Sequence, residues 1–261
     1  MTAAAPPRPE HVAVSLRVLE WDTNFFGARM GAIELSERAP TEGLAAQLQE
    51  TIDRAIREKF DHLILRCDAA DWAAAWAAEQ AGMRLVDAGV DLRCPDVTDL
   101  APSPRCHLWV ETDLPGLREL AAGSFVFSRF AADPFFSADQ VRAFHAEWVT
   151  NLCRGLADAV LVVGEPGSPL GFVACTARDG IARIPLIAVR ADARREGVGD
   201  ALIAAAKASF ASTGLDCAWV KTQVQNYPAL ALYARHGFVP ARSEFVFSIT
   251  LPRGSDMGGS A

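Results

Sequence analysis

The sequence predicts an α/β protein: a mixed, mostly antiparallel sheet flanked by helices, preceded by a smaller, degenerate half-domain of the same kind. Three observations predict it. Strand-like and helix-like runs follow one another from 159 to 250. An Asp179-Gly180 pair between two apolar runs marks a tight hairpin. With the numbering shifted by 155, "HLILRCD" (62–68) falls on "CAWVKTQ" (217–223), and Asp71 falls on Asn226.

The elements of the second half read as follows. "AVLVVGEPGSPLGFVACTARDGIARIPLIAV" is strand, Gly/Pro turn, strand, Asp-Gly turn, strand. Gly199 to Ser212 is a helix, with Leu202, Ile203, Ala206 and Phe210 on one face and Gly214 as its stop. "DCAWVKTQV" is a strand. "NYPALALYARHG" is a second helix, with Asn226 as N-cap, Pro228 in the first turn and Gly237 past the end. "FVPARSEFVFSI" is a last strand pair or a bent strand. In the first half, Leu44 to Phe60 is the helix that matches the one from Gly199, and "AEQAGMRLV" matches the segment from Tyr233. Between the halves, "RCPDVTDLAPSPRCH" contains three prolines and reads as a linker. The expected division is a disordered tail over 1–14, a partial domain over 15–94, a linker over 95–107, the main domain over 108–251 and a second tail over 252–261.

Composition excludes several classes. The formal net charge of −7 gives no basic footprint for nucleic acid. No apolar run reaches the roughly 18 residues of a membrane span. The opening "MTAAAPPRPEH" has no apolar core of a secretory signal. The six cysteines form no C-x-x-C pair and the five histidines no H-E-x-x-H, so no metal site and no disulfide framework are expected, and the setting reads as cytoplasmic.

One stretch carries chemistry. "ADARREGVGDAL" sets Arg194 and Arg195 ahead of Gly197 and Gly199 at the mouth of a helix. Free N–H groups converge at a helix N-terminus and the helix dipole favours negative charge there. Glycine lets a phosphate approach the backbone, and the arginines add forked donors. The loop is not a Walker A, since no Lys-Ser or Lys-Thr follows. It is not the dinucleotide fingerprint, since the third glycine is missing and an antiparallel meander precedes it. A capped amphipathic helix with a glycine turn remains the plain alternative. Downstream, "NYPALALYARHGF" puts Asn226 and Tyr233 two helical turns apart on one face, with the small Ala229 between them. Tyr233 reads as half-buried packing or as part of a site.

Together the two motifs, R-x-x-G-x-G and N-x-x-A-x-x-L-Y-x-x-x-G-F, resemble the GNAT N-acetyltransferase superfamily over about 159–250. The resemblance implies acetyl-CoA as co-substrate and no metal. It implies a splayed strand, Leu186, Ile187, Ala188 and Val189, whose backbone takes the pantetheine arm. The loop amides of Arg195, Glu196, Gly197, Val198, Gly199 and Asp200, with Arg194 beside them, would take the pyrophosphate. Asn226 would bond the amide arm and Tyr233 would serve as the acid near the sulfur. Ala191 stands where proline is common in the family. Arg195 stands where its first glycine is common. The first half lacks the arginines, the paired glycines and the tyrosine, so it reads as a silent GNAT-like copy.

"SRFAADPFFSADQVRAFHAEWVTNLCRG" reads as a loop and an aromatic-rich helix from Ala138 to Arg154, whose Phe144, Trp148 and Leu152 make a core face. It also resembles dTDP-fucosamine acetyltransferase and related 4-amino-sugar N-acetyltransferases in Ser128-Arg129-Phe130, Trp148-Val149, Asn151 and Gly155. "LEWDTNFFGARMGAIEL", "AGMRLVDAGVDL" and Thr222-Gln223 extend that likeness over about 16–250. It implies a nucleotide-linked amino sugar as acceptor, with Arg129 on its phosphates and Phe25 and Phe26 stacking on its base. A surface ion pair and core packing are the plain readings of the same residues. Another amine (a protein N-terminus, an antibiotic, a polyamine) or a non-catalytic acyl-CoA-binding role is the alternative. The oligomeric state is left open, with a homodimer as one form.

Overall fold

The structure, a computed structural model, describes residues 14–36, 42–98 and 105–252. The expected tails lie outside the described residues, apart from Val14, which opens the first strand, and Pro252. The chain forms two compact units, residues 1–86 with 245–261, and residues 87–244. It passes from one to the other within two strands, so the expected linker at 95–107 falls inside the second unit. Of the described residues of that stretch, Cys106 and His107 sit in a strand.

The first unit holds β1 (Val14–Val18), α1 (Glu20–Phe26), β2 (Met30–Leu35), α2 (Leu44–Arg57), β3 (His62–Asp68) and α3 (Trp72–Gln80). β1 and β2 are antiparallel, and β2 and β3 parallel. Leu44, Leu48, Ile52 and Ala55 recur at helical spacing on α2 and are buried with Leu63 and Leu65 of β3. α2 ends three residues before the expected Phe60, because Lys59 turns into the left-handed region at φ 61°. Asp71 caps α3, accepting from the Ala74 N–H at 3.0 Å.

The second unit holds the rest of β4 (Arg84–Cys94), then β5 (Cys106–Leu108), α4 (Leu114–Ser124), α5 (Arg129–Ala132), α6 (Ala138–Asn151), β6 (Ala159–Glu165), β7 (Ser168–Arg178), β8 (Ile181–Val189), α7 (Val198–Ser212), β9 (Ala218–Gln223), α8 (Tyr227–Arg235) and the start of β10 (Val239–Thr250). Its strands lie in the order β10-β4-β9-β8-β7-β6-β5. β4–β9, β5–β6, β6–β7 and β7–β8 are antiparallel and β8–β9 parallel. The last segment is therefore one strand and not a hairpin. Alternate residues of the central strands serve opposite faces. Phe172, Ala174, Leu186 and Ala188 pack with α4 and α6, while Val173, Cys175 and Ile187 pack with α7. α6 stops at Asn151, short of the expected Arg154, and a π turn over Leu152–Leu156 closes through Gly155 at φ 109°.

Asp113 pins the edge of this unit. Its side chain is fully buried. Its carboxylate accepts from the Gly167 N–H at 2.7 Å and the Val110 N–H at 3.0 Å, with His107 Nε2 at 3.1 Å. Burial works against the charge, but these partners outweigh it and hold the carboxyl below its ordinary value. A depressed folded value contributes stability that is present above the ordinary carboxylate range and lost as pH falls below it. Asp113→Asn turns one acceptor into a donor facing donors. Urea unfolding at pH 7 is expected to show a loss of about 2–3 kcal/mol, and the variant's acid limb below pH 4 should be shallower than that of the wild type. Equal stability of the two proteins at pH 7 would show that the turn does not depend on this carboxylate.

Candidate active site

Four pieces of the second unit converge on one end of β8. The first is a break in the sheet. β8 pairs with β9 at Ala182, Arg183 and Ile184 and no further. On its other side Arg183 faces Thr176 and Leu186 faces Ala174, so Ile184 and Pro185 together stand opposite Cys175. That is a bulge on β8, and a bulge bends the strand that carries it. Pro185 has no N–H to give to a ladder. From Leu186 to Val189 the strand stays on β7 while β9 continues against β4 to Gln223. Among the described residues, its second edge has no partner strand. Sequence reasoning reached these four residues only through a family resemblance, although Pro185 inside an apolar strand was a signal available from the residues themselves.

The second piece is the loop from Arg190 to Gly197. Arg195 sits at φ 67° and Gly197 at φ 74°, both left-handed. A non-glycine residue pays roughly 1–2 kcal/mol for that conformation. The chain thus keeps at Arg195 the shape a glycine would take with ease. α7 then starts without a side-chain cap. The N–H groups of Val198, Gly199 and Asp200 have no acceptor within the helix, whose first bond runs from Ala201 N to Gly197 O. Gly199 has another use: a Cβ there would lie 3.1 Å from Leu232 of α8, so its bareness lets the two helices close. Gly171 of β7 does the same for α7, since a Cβ would meet Ala188 O and Val198 Cγ1 at 2.9 Å. Arg194 is exposed and its Nε lies 3.4 Å from Val189 O, at the end of the free edge.

The third piece is α8. Asn226 takes the N-cap position but does not cap with its side chain. Its Nδ2 donates to Thr222 Oγ1 at 3.1 Å instead, which leaves its carbonyl oxygen as an acceptor. Tyr233 is 3% exposed and packs on Phe238, with ring centroids 5.7 Å apart. Burial pushes its phenol well above the ordinary value, so it holds its proton at neutral pH. The packing and functional readings of Tyr233 are therefore compatible.

The fourth piece escaped the sequence. Arg105 Nη1 donates to Glu196 O at 3.3 Å and lies 3.6 Å from where a Cβ of Gly197 would stand. It comes from a segment that reads as a linker, and nothing in its neighbours announces a role. The carboxylate of Asp200, one turn into α7, accepts from Arg235 at 3.1 Å and lies 3.0 Å from His236 Nε2. Burial raises its pKa, but His236 and Arg235 outweigh it and keep the group ionised.

The remaining expected residues are divided between the units. Phe25 and Phe26 end α1 in the first unit, where Phe25 stacks on Trp21 at 5.5 Å and meets Phe26 edge-on at 4.9 Å. Arg129 opens α5 in the second unit, its guanidinium 3.8 Å above the Phe130 ring. The cysteines are free thiols. Burial pushes Cys153 and Cys175 up to about 12, which removes both as thiolate nucleophiles.

This arrangement can be set beside known proteins. The acetyltransferase (GNAT) family model matches residues 117–238. The chain is 30% identical over 234 residues to dTDP-fucosamine acetyltransferase of Escherichia coli, covering 87% of this chain and 94% of that protein. It is 28% identical over 137 residues to the spore coat polysaccharide biosynthesis protein SpsD of Bacillus subtilis, covering 52% and 47%. Its fold is similar to that of a GCN5-related N-acetyltransferase from Sphaerobacter thermophilus (16% identity, 93% of this chain and 78% of that one, TM-score 0.66). A tandem GNAT protein from the clavulanic acid biosynthesis pathway is also similar in fold (17% identity, 87% and 77%, TM-score 0.58). With the E. coli relative matched nearly end to end, and with the glycine loop, the broken sheet and the Asn226–Tyr233 helix in one unit, the chain belongs to the GNAT family and is an N-acetyltransferase.

Proposed function

We propose that the enzyme transfers the acetyl group of acetyl-CoA to the amino group of a nucleotide-linked sugar. The observation that carries this reading is the bulge at Ile184–Pro185, beyond which one edge of Leu186–Val189 has no partner strand among the described residues, in the same unit as the α7 N–H groups that have no acceptor within their helix. An extended arm with amide groups fits such an edge as an added strand would. A pyrophosphate fits the loop amides of Arg195 to Asp200, with Arg194 and Arg105 supplying charge. The Asn226 carbonyl oxygen, whose amide nitrogen is held by Thr222, accepts from an amide of the arm. Acetyl-CoA, when bound, supplies a thioester carbonyl for an amine to attack. Backbone N–H groups of the free β8 edge donate to the oxygen on which negative charge develops. The Tyr233 hydroxyl holds the proton that the departing thiolate needs, and the amine loses its own proton to water.

The acceptor class is supported by the E. coli relative, whose name specifies a dTDP-linked amino sugar and which matches 87% of this chain. Arg129, in the same unit as the glycine loop, is the residue we assign to that acceptor. The six free cysteines suit a reducing, cytoplasmic setting. A free-thiol release assay with acetyl-CoA and a panel of dTDP-amino sugars tests the reading. Turnover is expected with a dTDP-4-amino sugar. Turnover only with a peptide N-terminus, an aminoglycoside or a polyamine would replace the sugar and keep the reaction.

The first unit supports a reading as a partial copy. Its α2-β3-α3-β4 order matches α7-β9-α8-β10, and Gly82 and Gly237 share the left-handed turn at φ 79° and 80°. Ala78 stands in place of Tyr233, and no arginine pair precedes Gly43. Calorimetric titration is therefore expected to give one acetyl-CoA per chain. Two equivalent sites per chain would overturn the reading of the first unit as silent.

A further inference from the structure

The second unit breaks the rules of turn chemistry at one place. α4 ends at Ser124 and the chain turns at once, with the Ser128 N–H donating to Phe125 O at 3.3 Å. Val126 and Phe127 are the two central residues of that turn. Such positions ordinarily carry Gly, Pro, Asn, Asp or Ser, which suit the backbone and meet water. Here a β-branched and an aromatic side chain stand there instead, 65% and 40% exposed. A local rule broken in this way, with no burial gained, is what a functional position shows.

The turn is held from both sides. Before it, Phe125 stacks on His145, with ring centroids 4.8 Å apart and planes at 19°. After it, Phe130 is buried, 4.1 Å from the Phe144 ring and edge-on to Phe136 at 5.1 Å. Two anchored rings thus hold out a third. Among the described residues the Phe127 ring meets no other aromatic ring. A ring carried in this way offers a flat apolar surface in a fixed place, with little side-chain freedom to lose on binding.

The place of the turn points to the acceptor. Phe125 packs against the core cluster that contains Leu186 and Ala188, on the strand of the free edge. Arg129, two residues beyond Phe127, is the residue assigned above to the acceptor. Between them, Ser128 Oγ is buried and has no hydrogen-bond partner among the described residues. A nucleotide carries a flat base and charged phosphates, and aromatic faces take bases by stacking.

We propose that Phe127 stacks on the base of the nucleotide-linked acceptor and is a main determinant of the enzyme's affinity for it. This role rests on the acceptor reading given above.

The experiment titrates dTDP into the full chain by calorimetry, with acetyl-CoA present so that the base of the coenzyme does not compete. Phe127→Leu keeps the apolar bulk and removes the ring. It should bind dTDP about tenfold or more weakly than wild type, the loss expected of one base–aromatic stack. Phe127→Tyr keeps the ring face and should stay within about twofold. Acetyl-CoA affinity should be the same in all three proteins, which a general disturbance of the unit would not allow. Phe127→Met takes the place of Phe127→Leu should circular dichroism show that the latter does not fold. Wild-type dTDP affinity in the ring-less variant would overturn the proposal and leave the acceptor reading in place. So would equal losses in the Leu and Tyr variants, since the ring face would then not be what binds. A change in molecular mass by light scattering with no change in dTDP affinity would make the turn a contact between copies of the chain, and would overturn it too. Absence of dTDP binding by wild type would remove the nucleotide-linked acceptor and this role with it.

Discussion

Tyr233→Phe is expected to keep its fold and most of its acetyl-CoA affinity while kcat falls by about 10²-fold or more. The substitution separates two demands on one residue. Packing needs the ring, which lies 3% exposed against Phe238 and stays in the variant. Acid catalysis needs the hydroxyl, which does not. General acid catalysis contributes typically 10²–10⁴-fold, about 3–5 kcal/mol of barrier. Because the proton moves only as the thiolate departs, KM should change little. Burial keeps the phenol protonated past its ordinary range, so the wild type should show no alkaline loss of kcat from Tyr233 below about pH 9. A drop in kcat of less than about threefold, at a pH where chemistry limits turnover, would return Tyr233 to the core and leave the proton to water.

Most of the candidate site was legible because its pieces are local. The arginines and glycines of the loop are neighbours in the chain, and Asn226 and Tyr233 are one helix apart. Periodicity finds such groups. What it missed is long-range. Arg105 meets Glu196 across 91 residues, and no spacing rule connects them. The bulge at Ile184–Pro185 is a relation between β7, β8 and β9, visible in the chain only as one proline in an apolar run. The fold shows the same division. The hairpins and helices of the second half follow turn chemistry that can be read residue by residue. The unit boundaries do not, because β4 and β10 each carry on through them without a turn. Gly199 was read as room for a phosphate, and the structure gives its bareness to Leu232. Asn226 was read as a cap, and its amide went to Thr222. In both cases the residue type was informative; the partner of Gly199 was decided by tertiary packing, and that of Asn226 lies four residues back in the chain.

Gly197→Val is expected to weaken acetyl-CoA binding by about 10²-fold in a protein that still folds. Gly197 stands at φ 74°, where a branched side chain is strongly disfavoured. Space is not the obstacle, since the one atom near a Cβ there is the flexible Nη1 of Arg105 at 3.6 Å. The strain falls on the turn itself. Relaxing it re-aims the N–H groups of Val198, Gly199 and Asp200, which must converge to hold an anion. Charge-assisted hydrogen bonds contribute about 1.5–3 kcal/mol each, so misaiming one or two of them accounts for a factor of 10². Gly197→Asn separates conformation from bulk, because asparagine tolerates the left-handed region far better than valine. It should retain binding within about fivefold. Isothermal titration of both variants, with circular dichroism to confirm folding, checks the pair. Wild-type affinity in a folded Gly197→Val protein would remove the pyrophosphate from this loop, and equal losses in both variants would mean that the turn's conformation is not what binds it.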